Sequence, residues 1–284
     1  MASTIVLIHA ASARAQPASD ATYQPLRDQG IECVDISLRV GDHQVNTIIA
    51  SPPKDKLHEN PVLLLVIGRA NYHLVPPYNQ PARYFLEHGH RVVCLTVPKI
   101  ESSLEVFRDS VLSDPDTVDS TIKDAQAVLK HCINRRWAKP GRAVVAGVSR
   151  NGYLALRLMA ADKSLNIGGG FVPVTDWRDL SEFKEVRNLP TIADLRISRF
   201  AEQLAGKTIF LTIGHNDQRV STFSCVQFFL DLASVNARRG FDPSAVTLFV
   251  TPDEDHSCSD EWYARGMEIL LKAALAQDTP SSSK

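Results

Sequence analysis

The spacing of hydrophobic positions changes near residue 52 and divides the chain into two parts. Between residues 34 and 50, apolar and polar residues largely alternate around a Gly41-Asp42 turn, a pattern typical of a half-buried antiparallel hairpin. Beyond Pro52-Pro53, continuous apolar runs of strand length alternate with longer segments whose apolar residues recur at helical spacing. Such an alternation predicts buried parallel strands connected by amphipathic helices.

The second part of the chain holds a regular series of predicted strands and long helices. The strands are expected at 62–67, 91–97, 143–148, 168–174, 208–213 and 246–250. The helices are expected at 80–88, 118–135, 150–161, 221–239 and 260–276. We therefore expect an α/β fold with a mostly parallel central sheet, an antiparallel N-terminal hairpin and helices on both faces.

Three segments lie outside this alternation. Residues 1–30 show no clear period and are expected to be a flexible N-terminal arm or a removed leader, whereas residues 31–278 are expected to form one domain. Within that domain, residues 176–206 form a charged connection too long for a simple loop, which predicts a small cap. The serine-rich residues 279–284 are expected to be a disordered tail.

Composition and charge narrow the classes of function. The 31 basic and 32 acidic residues are interspersed and give a formal net charge of −1, so no basic field would hold a nucleic acid. No apolar run approaches the roughly 20 residues that cross a bilayer. A cytoplasmic location is expected, or a secreted or periplasmic one if residues 1–16 are a signal peptide. The five scattered cysteines are expected to be reduced thiols, and the oligomeric state stays open.

The most informative motif places a serine between a buried strand and a helix. An apolar run ends at Val148, Ser149 follows, and a helical segment begins at Arg150. A sharp strand-to-helix turn exposes the serine hydroxyl and needs small residues, such as Gly147 and Gly152, where the two backbones approach each other. The backbone N–H of Arg150 would then face a developing oxyanion. The same pattern also suits an ordinary serine that caps a helix.

The last two predicted strands end in loops that carry an acid and a histidine, in this order. Asp217 follows the first of these strands within Gly214-His215-Asn216-Asp217, and His256 follows the second. A carboxylate that accepts the imidazole Nδ1–H leaves Nε2 to take a proton from the serine. Alternatively, Asp217 caps the next helix and His256 is a surface histidine. The acidic residues 253–255 are rival acids, although such close neighbours would have to fold back towards the ring.

The order of serine, acid and histidine resembles that of the α/β-hydrolase superfamily. The serine turn resembles the prolyl-oligopeptidase-like and dienelactone-hydrolase-like branches, whose motif reads Gly-x-Ser-x-Gly-Gly, with Asn151 in place of the first of the last two glycines. The resemblance implies an α/β-hydrolase fold, with Ser149 as the nucleophile, His256 as the general base and Asp217 as the acid.

The same resemblance implies a second oxyanion donor in the loop after the first parallel strand. The backbone N–H of Arg69 is the expected donor, with Ala70 and Tyr72 as alternatives. Tyr72 is also expected to bind substrate. Trp177 lies in a segment that resembles the start of the substrate wall in peptidase-like relatives, and it would otherwise pack within the cap. Arg150 would attract a substrate carboxylate or remain solvated.

The predicted reaction is acyl transfer to water through an acyl-enzyme, with a small molecule that carries a carboxylic ester as the first choice of substrate. Open alternatives are a peptidase or lactonase of the same fold, an acyltransferase or lyase that uses the same residues, and a binding protein without catalytic activity. No metal is expected, because no ligand spacing is present. No nucleotide cofactor is expected either, because residues 168–170, three glycines, lie inside a predicted strand and indicate close packing.

Overall fold

The apolar runs of the sequence form strands of one sheet in the computed structural model, which describes residues 14–17, 21–97 and 103–277. The strands are β1 (Arg14–Pro17), β2 (Glu32–Val40), β3 (His43–Ser51), β4 (Leu63–Ile67), β5 (Arg91–Thr96), β6 (Ala143–Val148), β7 (Ile167–Phe171), β8 (Thr208–Gly214) and β9 (Val246–Thr251). The α-helices are α1 (Gln24–Arg27), α2 (Ala70–His73), α3 (Gln80–Glu87), α4 (Leu104–Ser113), α5 (Thr117–Asn134), α6 (Arg150–Ala161), α7 (Pro190–Asp194), α8 (Ala201–Leu204), α9 (Thr222–Arg238) and α10 (Asp260–Ala276).

The sheet has the strand order β1-β2-β3-β5-β4-β6-β7-β8-β9 across the described ranges. The strands β1, β2 and β3 are antiparallel neighbours, and β3 also pairs antiparallel with β5. All pairs from β5 to β9 are parallel. The predicted architecture, a mostly parallel sheet that begins with an antiparallel hairpin, is therefore confirmed.

Two apolar layers cover the two faces of the sheet. In β4, Leu63, Leu65 and Ile67 face one layer and the residues between them face the other, as the alternation of side chains along a strand requires. Buried residues of α4, α5, α6 and α9 belong to the first layer, and those of α3 and α10 belong to the second. Strands buried on both faces need apolar residues throughout, which explains the continuous runs in the sequence.

The predicted bounds of β4 to β9 and of the five predicted helices differ from the observed ones by one residue or none, except at β7. That strand was expected to reach residue 174 but ends at Phe171, because Val172 has a φ of 43° and Pro173 has no N–H for the sheet. The helices α1, α2 and α4 were not predicted. In α4 the buried residues are Phe107 and Val111, too few to give a clear helical period.

The three glycines of β7 fit the close packing expected of them. A Cβ atom at Gly168 would lie 2.4 Å from the carbonyl oxygen of Val145 on β6, and one at Gly169 would lie 2.5 Å from that of Phe210 on β8. Larger residues would push the neighbouring strands apart.

The expected N-terminal arm is described in part. Residues 14–17 pair with β2, and Tyr23 and Leu26 are buried against the sheet, so these portions of 1–30 are packed against the rest of the protein. Residues 1–13 of the expected leader and the expected tail 279–284 lie outside the described residues. Among the described helices, none combines the length and the apolar character that a membrane span requires.

Candidate active site

Ser149 occupies a sharp turn between β6 and α6. Its φ of 55° and ψ of −121° are seldom adopted by residues with a side chain. Hydrogen bonds hold the turn in this conformation: the N–H of Ser149 donates to the carbonyl of Phe171 at 2.8 Å, and its carbonyl accepts from the N–H of Val174 at 3.1 Å. A serine in such a turn has its hydroxyl exposed beyond the edge of the sheet.

The glycines on either side of Ser149 are required by space. A Cβ atom at Gly147 would lie 2.3 Å from the carbonyl oxygen of Asn151. One at Gly152 would lie 3.0 Å from both the carbonyl oxygen of Gly147 and the Cβ atom of Pro173. The strand and the helix therefore approach each other as the sequence motif requires.

The structure brings the three predicted side chains together. The Nε2 atom of His256 lies 2.9 Å from the Oγ atom of Ser149, and its Nδ1 atom lies 2.8 Å from the Oδ2 atom of Asp217. Their loops follow β6, β8 and β9, whose carboxyl ends meet at one edge of the sheet. When Nδ1 carries the proton and donates it to the carboxylate, Nε2 is free to accept the serine hydroxyl.

Asp217 is held rigidly behind the histidine. Its side chain is fully buried, and its Oδ1 atom accepts the backbone N–H groups of Arg219 at 2.9 Å and Val220 at 3.0 Å. These bonds leave Oδ2 directed at His256. The helix cap that Asp217 could have supplied is provided by Ser221, whose hydroxyl accepts the N–H of Ser224.

The rival acids have other positions. Asp253 accepts the N–H of Ser259 at 3.0 Å, and Glu254 and Asp255 are exposed to solvent. The histidine ring is therefore oriented by the carboxylate 39 positions before it in the chain and by none of its close neighbours.

A cavity of about 430 Å³ opens beside the serine. It is lined by Arg69, Tyr72, His73, Tyr78, Leu104, Val148, Ser149, Arg150, Asn151 and Tyr263. His73, Tyr78 and Tyr263 were not expected from the sequence to be site residues. The sequence could have indicated Tyr263, because this residue lies in the first turn of the helix that follows the histidine loop.

The loop after β4 supplies the candidates for the second oxyanion donor. Arg69 precedes the first residue of α2, and Arg150 is the first residue of α6, so both backbones are at helix starts beside the serine. The N–H of Tyr72 donates to the carbonyl of Arg69 at 3.0 Å, so this N–H is not available to an oxyanion. Arg69 and Ala70 therefore remain as candidates.

The structure corrects the expectation that Trp177 binds substrate. Its side chain is fully buried, with its ring centroid 4.6 Å from that of Phe107 and 5.1 Å from that of Tyr153. It does not line the cavity, because the indole completes the apolar layer beneath the 176–206 segment. Tyr72, in contrast, lines the cavity and is half exposed.

Burial favours the neutral form of several titratable groups near the site. It lowers the pKa of His73 to about 4, raises the pKa of the Cys258 thiol to about 12 and raises the pKa of Tyr263. At neutral pH the charged side chains of the cavity wall are thus those of Arg69 and Arg150. In the described ranges, no three His, Cys, Asp or Glu residues are grouped so that they could hold a metal ion.

The sequence matches the family model described as the prolyl oligopeptidase family over residues 107–274, more than half of the chain. The matched region contains Ser149, Asp217 and His256. No curated protein sequence matches the chain closely enough to be called a relative.

Solved structures of hydrolases resemble the chain in fold. A puromycin hydrolase has a TM-score of 0.65 at 16% identity, and the match covers 84% of this chain and 39% of that one. A cold-adapted esterase from an Arctic intertidal metagenomic library has a TM-score of 0.62 at 17% identity, over 94% of this chain and 98% of that one. An esterase of Pyrococcus furiosus has a TM-score of 0.62 at 19% identity, over 87% and 93%.

Proposed function

The chain belongs to the prolyl oligopeptidase family and is a serine hydrolase with the α/β-hydrolase fold, and from this premise we propose that it cleaves carboxylic esters through Ser149, His256 and Asp217. The observation that carries the proposal is the continuous hydrogen-bonded contact from the serine hydroxyl through the imidazole to a buried carboxylate. A serine hydroxyl is a weak nucleophile unless an adjacent base takes its proton.

In the proposed mechanism, the hydroxyl oxygen of Ser149 attacks the ester carbonyl while Nε2 of His256 takes its proton. The carbonyl oxygen becomes an oxyanion, which the backbone N–H of Arg150 and that of Arg69 or Ala70 stabilise. The tetrahedral intermediate then collapses, the C–O bond to the alcohol breaks, and the imidazolium gives its proton to the leaving oxygen. Water attacks the acyl-enzyme by the same steps and releases the acid.

The charge of the cavity favours an ester over a peptide with a free amino terminus. Two guanidinium side chains and no carboxylate are among the described residues that line it. An α-ammonium group would find no carboxylate in this lining with which to pair. The aromatic rings of Tyr72, Tyr78 and Tyr263 instead provide apolar surface for an acyl or alcohol group.

The proposal is tested by labelling the intact protein with a fluorophosphonate and by assaying p-nitrophenyl esters beside a lactone and an aminoacyl anilide. We expect the label on Ser149, turnover of the esters, and a loss of at least about 1,000-fold in kcat for Ser149→Ala. Ser164→Ala, at an exposed serine, is the matched control and should keep wild-type activity. Labelling of another serine refutes the nucleophile assignment, and faster turnover of the anilide refutes the substrate class.

A further inference from the structure

The two candidate oxyanion donors lie on separate elements that are about 80 residues apart in the chain. One follows Ser149 at the start of α6, and the other lies where the loop after β4 enters α2. An oxyanion hole stabilises the transition state only when both N–H groups point to the same oxygen position before the reaction begins. Contacts between the two elements must therefore fix their relative position.

A side-chain hydrogen bond joins these two elements directly. The Nδ2 atom of Asn151, the second residue of α6, lies 3.0 Å from the Nε2 atom of His73, the last residue of α2. Each partner is within four residues of a candidate donor in its own element. Asn151 is also the residue that departs from the Gly-Gly of the family motif, and a glycine there could not make this bond.

The protonation of His73 fits this contact. Burial lowers the pKa of His73 to about 4, so the ring is neutral near neutral pH. A neutral ring with its proton on Nδ1 has a lone pair on Nε2, which accepts an N–H of the Asn151 amide. The bond therefore has a defined direction, from the amide to the imidazole.

Gly68, the first residue after β4, leaves the space in which the side chains of His73 and Asn151 meet. A Cβ atom at this position would lie 2.4 Å from the Nε2 atom of His73 and 2.7 Å from the Nδ2 atom of Asn151. Any larger residue would displace one or both partners. The hydrogen bond between Asn151 and His73 therefore depends on a glycine at position 68.

We propose that Asn151 and His73 are positioning residues, which hold the turn at Arg69 and Ala70 in register with the N–H of Arg150. The proposal rests on the proposed function, because it assigns the pair to the oxyanion hole of that reaction. Both side chains also line the cavity, but the donors that they support stabilise mainly the oxyanion of the transition state. Their removal should therefore lower kcat and leave KM almost unchanged.

The test compares Asn151→Leu, His73→Phe and the double variant in steady-state hydrolysis of a p-nitrophenyl ester. Each single variant keeps the approximate shape of the side chain but removes the donor or the acceptor. We expect kcat to fall about 10- to 100-fold in each, with KM within about twofold, and the double variant to be no slower than the worse single one. Asn71→Leu, at an exposed asparagine of α2, should keep wild-type kcat.

A conservative variant separates positioning from folding. His73→Gln retains a side-chain acceptor and should recover most of the kcat that His73→Phe loses, which a merely structural role of the ring would not produce. Additive losses in the double variant, a change in KM alone, or no difference between His73→Gln and His73→Phe would each overturn the proposal. Failure of the proposed function is a separate result, because the wild type would then show no label on Ser149 and no ester turnover.

Discussion

The carboxylate of Asp217 is placed where water does not reach it. Its side chain is fully buried, and two backbone N–H groups bind one of its oxygens while the other contacts His256. A carboxylate held in this way fixes the tautomer of the imidazole and stabilises the cation that forms during attack. Its removal should therefore affect catalysis more than substrate binding.

We expect Asp217→Asn to lower kcat for ester hydrolysis by about 1,000- to 10,000-fold, because an amide N–H in place of the acceptor oxygen favours the wrong tautomer. Asp255→Asn is the control. Asp255 is exposed and has a φ of 54°, a conformation that asparagine also tolerates, so its kcat should stay near that of the wild type. Equal losses of kcat in the two variants, measured with correctly folded protein, would show that Asp217 is not the acid that orients His256.

At the scale of the elements, a buried histidine links the chain just before β4 to the chain just before β5. His90 precedes β5, and its Nδ1 atom accepts the N–H of Val62, which precedes β4, at 3.2 Å. Burial lowers the pKa of His90 to about 4, with smaller contributions from His58, His88 and Arg142. In the folded protein the His90 ring therefore takes up a proton only near pH 4, whereas in the unfolded chain it does so near pH 6.5.

The free energy of unfolding should consequently fall as the pH drops from about 6.5 to 4, because in this window the unfolded state binds a proton that the folded state does not. For His90 the loss is up to about 3 kcal/mol. His90→Gln keeps an acceptor for Val62 but does not titrate, so urea unfolding should show a flatter pH dependence. His215→Gln, at an exposed histidine that is not among the groups shifting the pKa of His90, should keep the wild-type slope, and an unchanged slope in His90→Gln would contradict this account.

In the molecule as a whole, the 176–206 segment is tied to the loop that carries the acid. The carboxylate of Glu182 forms an ion pair with the guanidinium of Arg219. The backbone N–H of Arg219 in turn donates to the carboxylate of Asp217. Arg108 of α4 donates to the carbonyl of Glu182 at 2.9 Å. The hydrogen bond from Arg219 lowers the pKa of Glu182. We propose that this segment is the cap predicted from the sequence and that the ion pair anchors it.

Glu182→Gln should loosen this anchor without removing the backbone contact to Arg108. We expect a loss of about 1 kcal/mol in the free energy of unfolding, a fall of several-fold in kcat, and faster proteolytic cleavage within 176–206. Glu185→Gln changes the charge by the same amount at an exposed residue of the same segment and should change none of the three measurements. Matching effects in both variants would show that net charge, and not the ion pair, is responsible.

The sequence by itself determined most of the strands and long helices and the order of the candidate catalytic groups. Periodicity is a local property, so buried strands and amphipathic helices could be located almost to the residue, and β7 departed only where Val172 and Pro173 turned the chain. The positions of Ser149, Asp217 and His256 at the ends of three parallel strands were sufficient to expect them together, because parallel strands end at one edge of a sheet.

Only the tertiary structure decided which side chains face the cavity and which support it. Trp177 and Tyr72 were equal candidates in the sequence, but one is buried beneath the insertion and the other lines the cavity. The bond between His73 and Asn151 joins residues 78 positions apart, and no local pattern encodes such a contact. Pairings of this kind depend on how whole elements pack, which is why they became visible only in the folded protein.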